Sequence, residues 1–181
     1  MIEELFFYFA QFPQRAGVSS MFTLGESDHV QGYQAILDRI AAMPEHSLIP
    51  DIESYVFGSS EKGVSARIDA VSGTYLFVDY GEIESEPNKI GSMIDSFQCA
   101  ITVATKCSET DLGEQLIFSQ RNFDLLNQIR RQMFADCQKI PWLKTIKLPH
   151  HREPFASPRF QSIGWSMGFS IDGYDLSNVK G

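Results

Sequence analysis

Long apolar runs are missing from this chain. The longest early one, Leu5 to Ala10, follows Glu3 and Glu4 and falls well short of the roughly 20 residues a membrane span needs. A secretory leader needs a basic start and a longer apolar stretch, so neither export nor membrane insertion is expected. Cysteine is scarce. Cys99, Cys107 and Cys137 are odd in number and no CxxC occurs. That pattern fits buried or half-buried thiols in a reducing, cytoplasmic compartment. Basic charge is also short: 15 Lys and Arg against 23 Asp and Glu leave the chain at -8. Phosphate contacts need a basic face, so a general nucleic-acid binder is not expected. Neither a Walker A nor a GxGxxG sequence occurs, which leaves nucleotide chemistry without support. Repeats, low-complexity tracts and linkers are missing as well.

What remains is a chain of 181 residues that is 43% hydrophobic, with a mean hydropathy of -0.15. That is enough for one domain, residues 1–181, with a real core, and it excludes global disorder. Ile2, Leu5, Phe6 and Phe9 have helical spacing and predict a short first helix. A second helix is expected over about Asp28 to Met43, capped by Ser27, with Val30, Tyr33, Leu37, Ile40 and Ala41 as its apolar stripe. Pro44 stops it.

Strand patterns follow. Ile52 to Phe57 is one. Val64, Ala66, Ile68 and Ala70 alternate with polar residues and predict another. Ser72-Gly73 supplies a turn into Thr74 to Glu84, so residues 64–84 read as an antiparallel hairpin. Pro87 to Ile94 reads as a short connection. Phe97, Cys99, Ile101 and Val103 predict the next strand. A long helix is expected from about Asp111 to Lys139, with a possible break near Ser119. Leu126, Ile129, Met133 and Cys137 form its apolar face, and Pro141 ends it. In the last strand Ile163, Trp165, Met167, Phe169 and Ile171 alternate with Ser and Gly. The large residues need a core, and the small ones allow a close neighbour. The expectation is an α+β domain with a mostly antiparallel sheet covered on one face by helices.

Few patterns carry chemistry. Gly164-Trp165-Ser166-Met167-Gly168 matches G-x-S-x-G, but a nucleophile elbow needs a strand-to-helix turn and a later histidine. Here the serine is mid-strand and no histidine follows, so a small-residue strand face is the better reading. His150, His151, Arg152 and Glu153 form the one dense cluster of catalytic residue types. Adjacent histidines diverge, unlike the i, i+4 pair of HExxH, and a solvated or interface loop spanning Lys147 to Pro158 is preferred. Asp79, Glu82, Glu84 and Glu86 could do acid/base work or bind a hard cation. The plainer reading is a solvated strand end. No catalytic residue, metal or cofactor is therefore expected.

Ala66 to Glu84, Ser96 to Thr105, Asp124 to Leu143 with its Ile140-Pro141-Trp142-Leu143 segment, and Phe160 to Asp172 together resemble the tail terminator and neck proteins of long-tailed phages. The resemblance is in the order and texture of elements. It implies a non-catalytic subunit of a homo-oligomeric ring, a hexamer, that caps a tail tube. Its partners would be tube and neck proteins, with no specific nucleic acid and no membrane. Such a subunit would be made in the host cytoplasm and built into a virion or tail-like particle. The surface expected to serve that ring comprises Tyr75, Phe77 and Tyr80, Arg130 and Arg131 as a possible meeting point for the acidic run, and His150, His151, Arg152 and Phe155. Two alternatives stand beside it: a ligand-binding α+β domain, and a small enzyme using the His150–Glu153 loop with acids near Glu82.

Overall fold

A computed structural model describes residues 1–22, 30–87, 93–108, 110–147 and 150–173. The side chains of residues 60–63 are not described. Three short helices come first: α1 (Ile2–Ala10), α2 (Arg15–Ser19) and α3 (Tyr33–Ala41). They are followed by β1 (Ser54–Gly58), α4 (Ser60–Ala70), β2 (Thr74–Pro87) and β3 (Met93–Lys106). The long helix α5 (Leu112–Asp136), a 3-10 turn (Pro141–Thr145), β4 (His151–Ser157) and β5 (Ser162–Gly173) complete the order. The five strands form one sheet in the order β1-β2-β3-β5-β4. Only β1 and β2 are parallel; the other three pairs are antiparallel. The α+β class with a mostly antiparallel sheet stands as expected.

The first correction concerns residues 64–70. They are helical, so the expected hairpin of 64–84 does not exist. Only Val64 and Ile68 are buried, one helical turn apart, while Ala66 and Ala70 face solvent. An i, i+4 pair hides inside an alternating pattern, and alanine favours helix without needing burial. The parallel β1–β2 pairing settles the ambiguity, because parallel neighbours require a crossover connection. Gly73 still makes the expected turn. Its φ of 67° lies in the left-handed region, and a Cβ there would overlap the Glu53 carboxylate.

The second correction concerns the expected loop of 147–158. Its later half is β4, an edge strand paired with β5 from His151↔Gly168 to Ser157↔Ser162. Pro154 argues against a strand in the sequence. An edge tolerates it because one side of an edge strand needs no ladder partner.

Two layers cover the sheet. On one face Leu76, Val78, Ile101, Val103, Met167, Phe169 and Ile171 pack against Leu5 and Phe9 of α1 and Leu126, Ile129 and Met133 of α5. On the other, Val64 and Ile68 of α4 cover Val56, Tyr75 and Phe77, joined by Phe160. Helices α1 and α5 thus cover one face as expected, and α4 adds cover to the second. Ser27 and Asp28, the expected start of the second helix, lie outside the described residues, as does most of the Pro87–Ile94 connection. The helix is Tyr33–Ala41: Ile40 is buried in it, while Val30, expected on its stripe, precedes it and is 52% exposed.

Helix α5 runs unbroken through Ser119, whose hydroxyl accepts a hydrogen bond from the Trp165 indole at 3.2 Å. Asp111 caps it by accepting the Glu114 N–H, which satisfies an otherwise orphaned donor, and the Glu114 carboxylate takes the N–H of Ser108 in the preceding loop. At Gly164 a Cβ would overlap the Val103 carbonyl and crowd Ala104. The small face of β5 is needed there, whereas Gly168 faces open space.

Candidate functional site

Period 3.6 puts a second stripe on α5 beside the core stripe: Phe123, Asn127, Arg130 and Phe134 follow one another at i, i+4, i+7 and i+11. The start of β4 lies against it. Arg152 donates to the Asn127 side-chain oxygen at 2.7 Å and sits 5.6 Å from the centre of the Phe123 ring. Arg131 donates through Nε to the Asn127 carbonyl. Arg130 lies over Phe134 at 4.8 Å, and His150 stacks on the same ring at 5.5 Å and 12°. The Nε of Arg130 and both ring nitrogens of His150 are shielded from solvent and have no hydrogen-bond partner among the described residues. Partial burial, then Arg130, then Arg152 hold the His150 pKa below its ordinary value. A cleft of about 230 Å³ opens beside His150, lined by Met133, Phe134, Cys137 and Leu143.

The structure therefore brings together Arg130, Arg131, His150 and Arg152, and it separates the other expected site residues from them. Tyr75 and Phe77 are 0% and 3% exposed, covered by the chain's own α4 and Phe160. They were expected on a surface shared with a neighbouring subunit; α4 of the same chain covers them instead. Tyr80 packs against Phe57 at 5.0 Å, in a groove of about 620 Å³ that also takes in Phe6, Phe22 and Tyr33. His151 is exposed and lies 3.5 Å from Glu153. Phe155 packs against the second core layer. Phe123, Asn127 and Phe134 were missed as site residues, although their helical spacing was available to find them.

The acidic run has a defined form. Beyond Asp79, β2 loses its β1 partner, and after a bulge between Tyr80 and Ile83 it continues paired with β3 as far as Pro87↔Met93. Residues 81–87 are all exposed. Glu82, Glu84 and Glu86 lie on this arm together with Ile83 and Met93, which are 53% and 46% exposed. Lys147, paired with Asp172 at 2.7 Å, is held above its ordinary pKa by that contact and more weakly by Glu86 and Glu84.

The other suspected chemistry is not assembled. The Ser166 hydroxyl is engaged with Thr102 at 2.7 Å in mid-strand. Strand β4, which carries His151 to Glu153, is separated from β2 and its acids by β5 and β3. Among the described residues no three His, Cys, Asp or Glu side chains converge to hold a metal ion. No described helix is long and apolar enough to cross a membrane. No family model matches the chain, and no curated protein matches it at a significant level.

Proposed function

We propose that the chain is a self-associating structural subunit of the tail-terminator kind, one that closes the end of a phage or tail-like tube as a ring, with six copies by resemblance. The observation that carries this reading is the β2–β3 arm. The β2 side of this arm exposes every residue from 81 to 87 and adds little to the core, while its β3 side is anchored by the buried Asp95 and Phe97. Contact outside the chain gives such an arm a use, and closed homo-oligomers are the common form of such contact.

Light scattering at rising concentration and low salt tests the reading, together with binding to isolated tail tubes. Concentration-dependent growth to a closed oligomer, or capping of tubes, is expected. A strict monomer that caps no tube overturns it. The aromatic groove beside Tyr80 supports a second reading, a ligand-binding domain. Its volume of about 620 Å³ lies in the range of small-molecule sites. That reading gains if the monomer result is accompanied by binding of an apolar dye that Tyr80→Ala abolishes.

A further inference from the structure

We propose that the acidic arm of one copy seats on the Arg130–Arg131–Arg152 face of the next copy, and that this contact is the joint of the ring. The inference rests on the self-association reading and says which two surfaces meet.

Charge points to the pairing. The arm presents Glu82, Glu84 and Glu86 on exposed backbone, and residues 84 and 86 share one side of the strand by its period of two. The face presents three guanidinium groups, two of them already laid over aromatic rings. The carboxylates near that face are occupied elsewhere. Asp136 accepts from Tyr8 and Gln132, Asp124 accepts from Gln120, and Glu153 lies by His151. The guanidiniums thus have neutral oxygens as their partners at Asn127. A carboxylate from outside would reach the exposed Arg131 and Arg152, in the bidentate geometry that arginine favours.

Topology makes the contact intermolecular. The arm continues β2 and β3 at the end of the sheet where Asp95 to Phe97 pair with Ile171 to Gly173. Strand β4 flanks only the remote part of β5, residues 162–168, and on the opposite side. Within one chain β3 and β5 lie between the arm's acids and β4, and of the segment before β4 it is Lys147 that feels Glu84 and Glu86. Two different patches meeting between copies make a head-to-tail joint, the kind that closes into a ring when the rotation permits. Pro154 has no N–H to offer at the β4 edge, which disfavours simple strand addition and leaves side chains to make the contact.

Complementary charge reversal tests the proposal. One variant carries E82K, E84K and E86K; the other carries R130E, R131E and R152E. Each is matched to the wild type by its melting curve, and sedimentation is followed at low and high salt. Each variant alone should need a concentration on the order of tenfold or more higher to assemble, because like charges would now face each other. An equimolar mixture of the two should regain assembly, and wild-type assembly should weaken as salt rises. If the triple arginine variant fails to fold, R131E alone replaces it, since that side chain is exposed and, among the described residues, donates to a backbone carbonyl. Wild type that assembles while both variants assemble equally well overturns the joint but spares self-association. Wild type that never assembles overturns both. Salt-sensitive binding of duplex DNA that the arginine variant loses, with self-association unchanged, would assign the face to nucleic acid and overturn the joint.

Discussion

Asn122 shows what a single buried polar residue does here. It is 0% exposed. Its side-chain oxygen accepts from Thr105 at 3.0 Å, its amide donates to the Ile163 carbonyl at 2.9 Å, and Thr105 meets Thr74 at 2.9 Å. One side chain on α5 thereby ties β2, β3 and β5 together. Asn122→Ala would take one partner from the Thr105 hydroxyl and one from the Ile163 carbonyl, both in the buried network, and should cost about 2–3 kcal/mol in a chemical-denaturation experiment. Trp165 is a milder case. It is only partly buried, rests 4.9 Å from Phe123 and donates to Ser119. Trp165→Ala should cost about 2–3 kcal/mol, below the roughly 3–5 of a fully enclosed tryptophan. His150 adds a pH dependence. Its folded pKa lies below the ordinary 6.5, so the unfolded chain takes up the proton first. Its contribution is therefore intact above about 6.5 and is lost as pH falls below that value through the folded pKa. Melting from neutral pH to about pH 5 should show a smaller acid-side drop in His150→Gln than in the wild type. Equal drops would mean that His150 protonates as easily in the folded protein.

Helix α5 carries two surfaces along its length. Its C-terminal half seats Leu126, Ile129 and Met133 in the core. Met133→Asp would bury an unpaired carboxylate there and should abolish the folding transition in circular dichroism. Its N-terminal half leaves Leu112, Leu116 and Ile117 at 70%, 64% and 67% exposure. Replacing Leu116 and Ile117 together by Gln should change stability by no more than about 0.5 kcal/mol per site, the usual range for surface positions. A larger loss would place that half of α5 against something within the chain. Helix α4 teaches a different lesson. Its pattern fits strand and helix equally, and its neighbours in the sheet decide between them.

For the whole molecule, the sheet sets the order of surfaces. Strands β1 and β4 form its edges, α1 and α5 cover one face, α4 covers part of the other, and the arm extends past β1. Assembly through the arm should leave the monomer's fold intact. Removing the exposed charges with E82Q, E84Q and E86Q should therefore keep the melting temperature near the wild-type value while lowering the oligomer mass in light scattering. A matching drop in melting temperature without loss of mass would make the arm a structural part of the monomer.

The amino-acid sequence by itself determined the elements whose patterns admit one period. The first helix, the strands at β1, β2, β3 and β5, and the long helix were legible because burial at i, i+3, i+4 or at every second residue left strong local marks. It also marked His150 and Arg152 through local density, and Arg130 and Arg131 as basic residues on the polar side of the long helix that could meet the acidic run. Tertiary structure decided three things. It made 64–70 a helix, since a parallel neighbour needs a crossover. It made 151–157 an edge strand, since an edge tolerates Pro154. It hid Tyr75 and Phe77 under α4 while joining β4 to the polar stripe of α5. Each of these turns on which segment lies beside which. That is settled by contacts between residues far apart in sequence, where local periodicity carries no information.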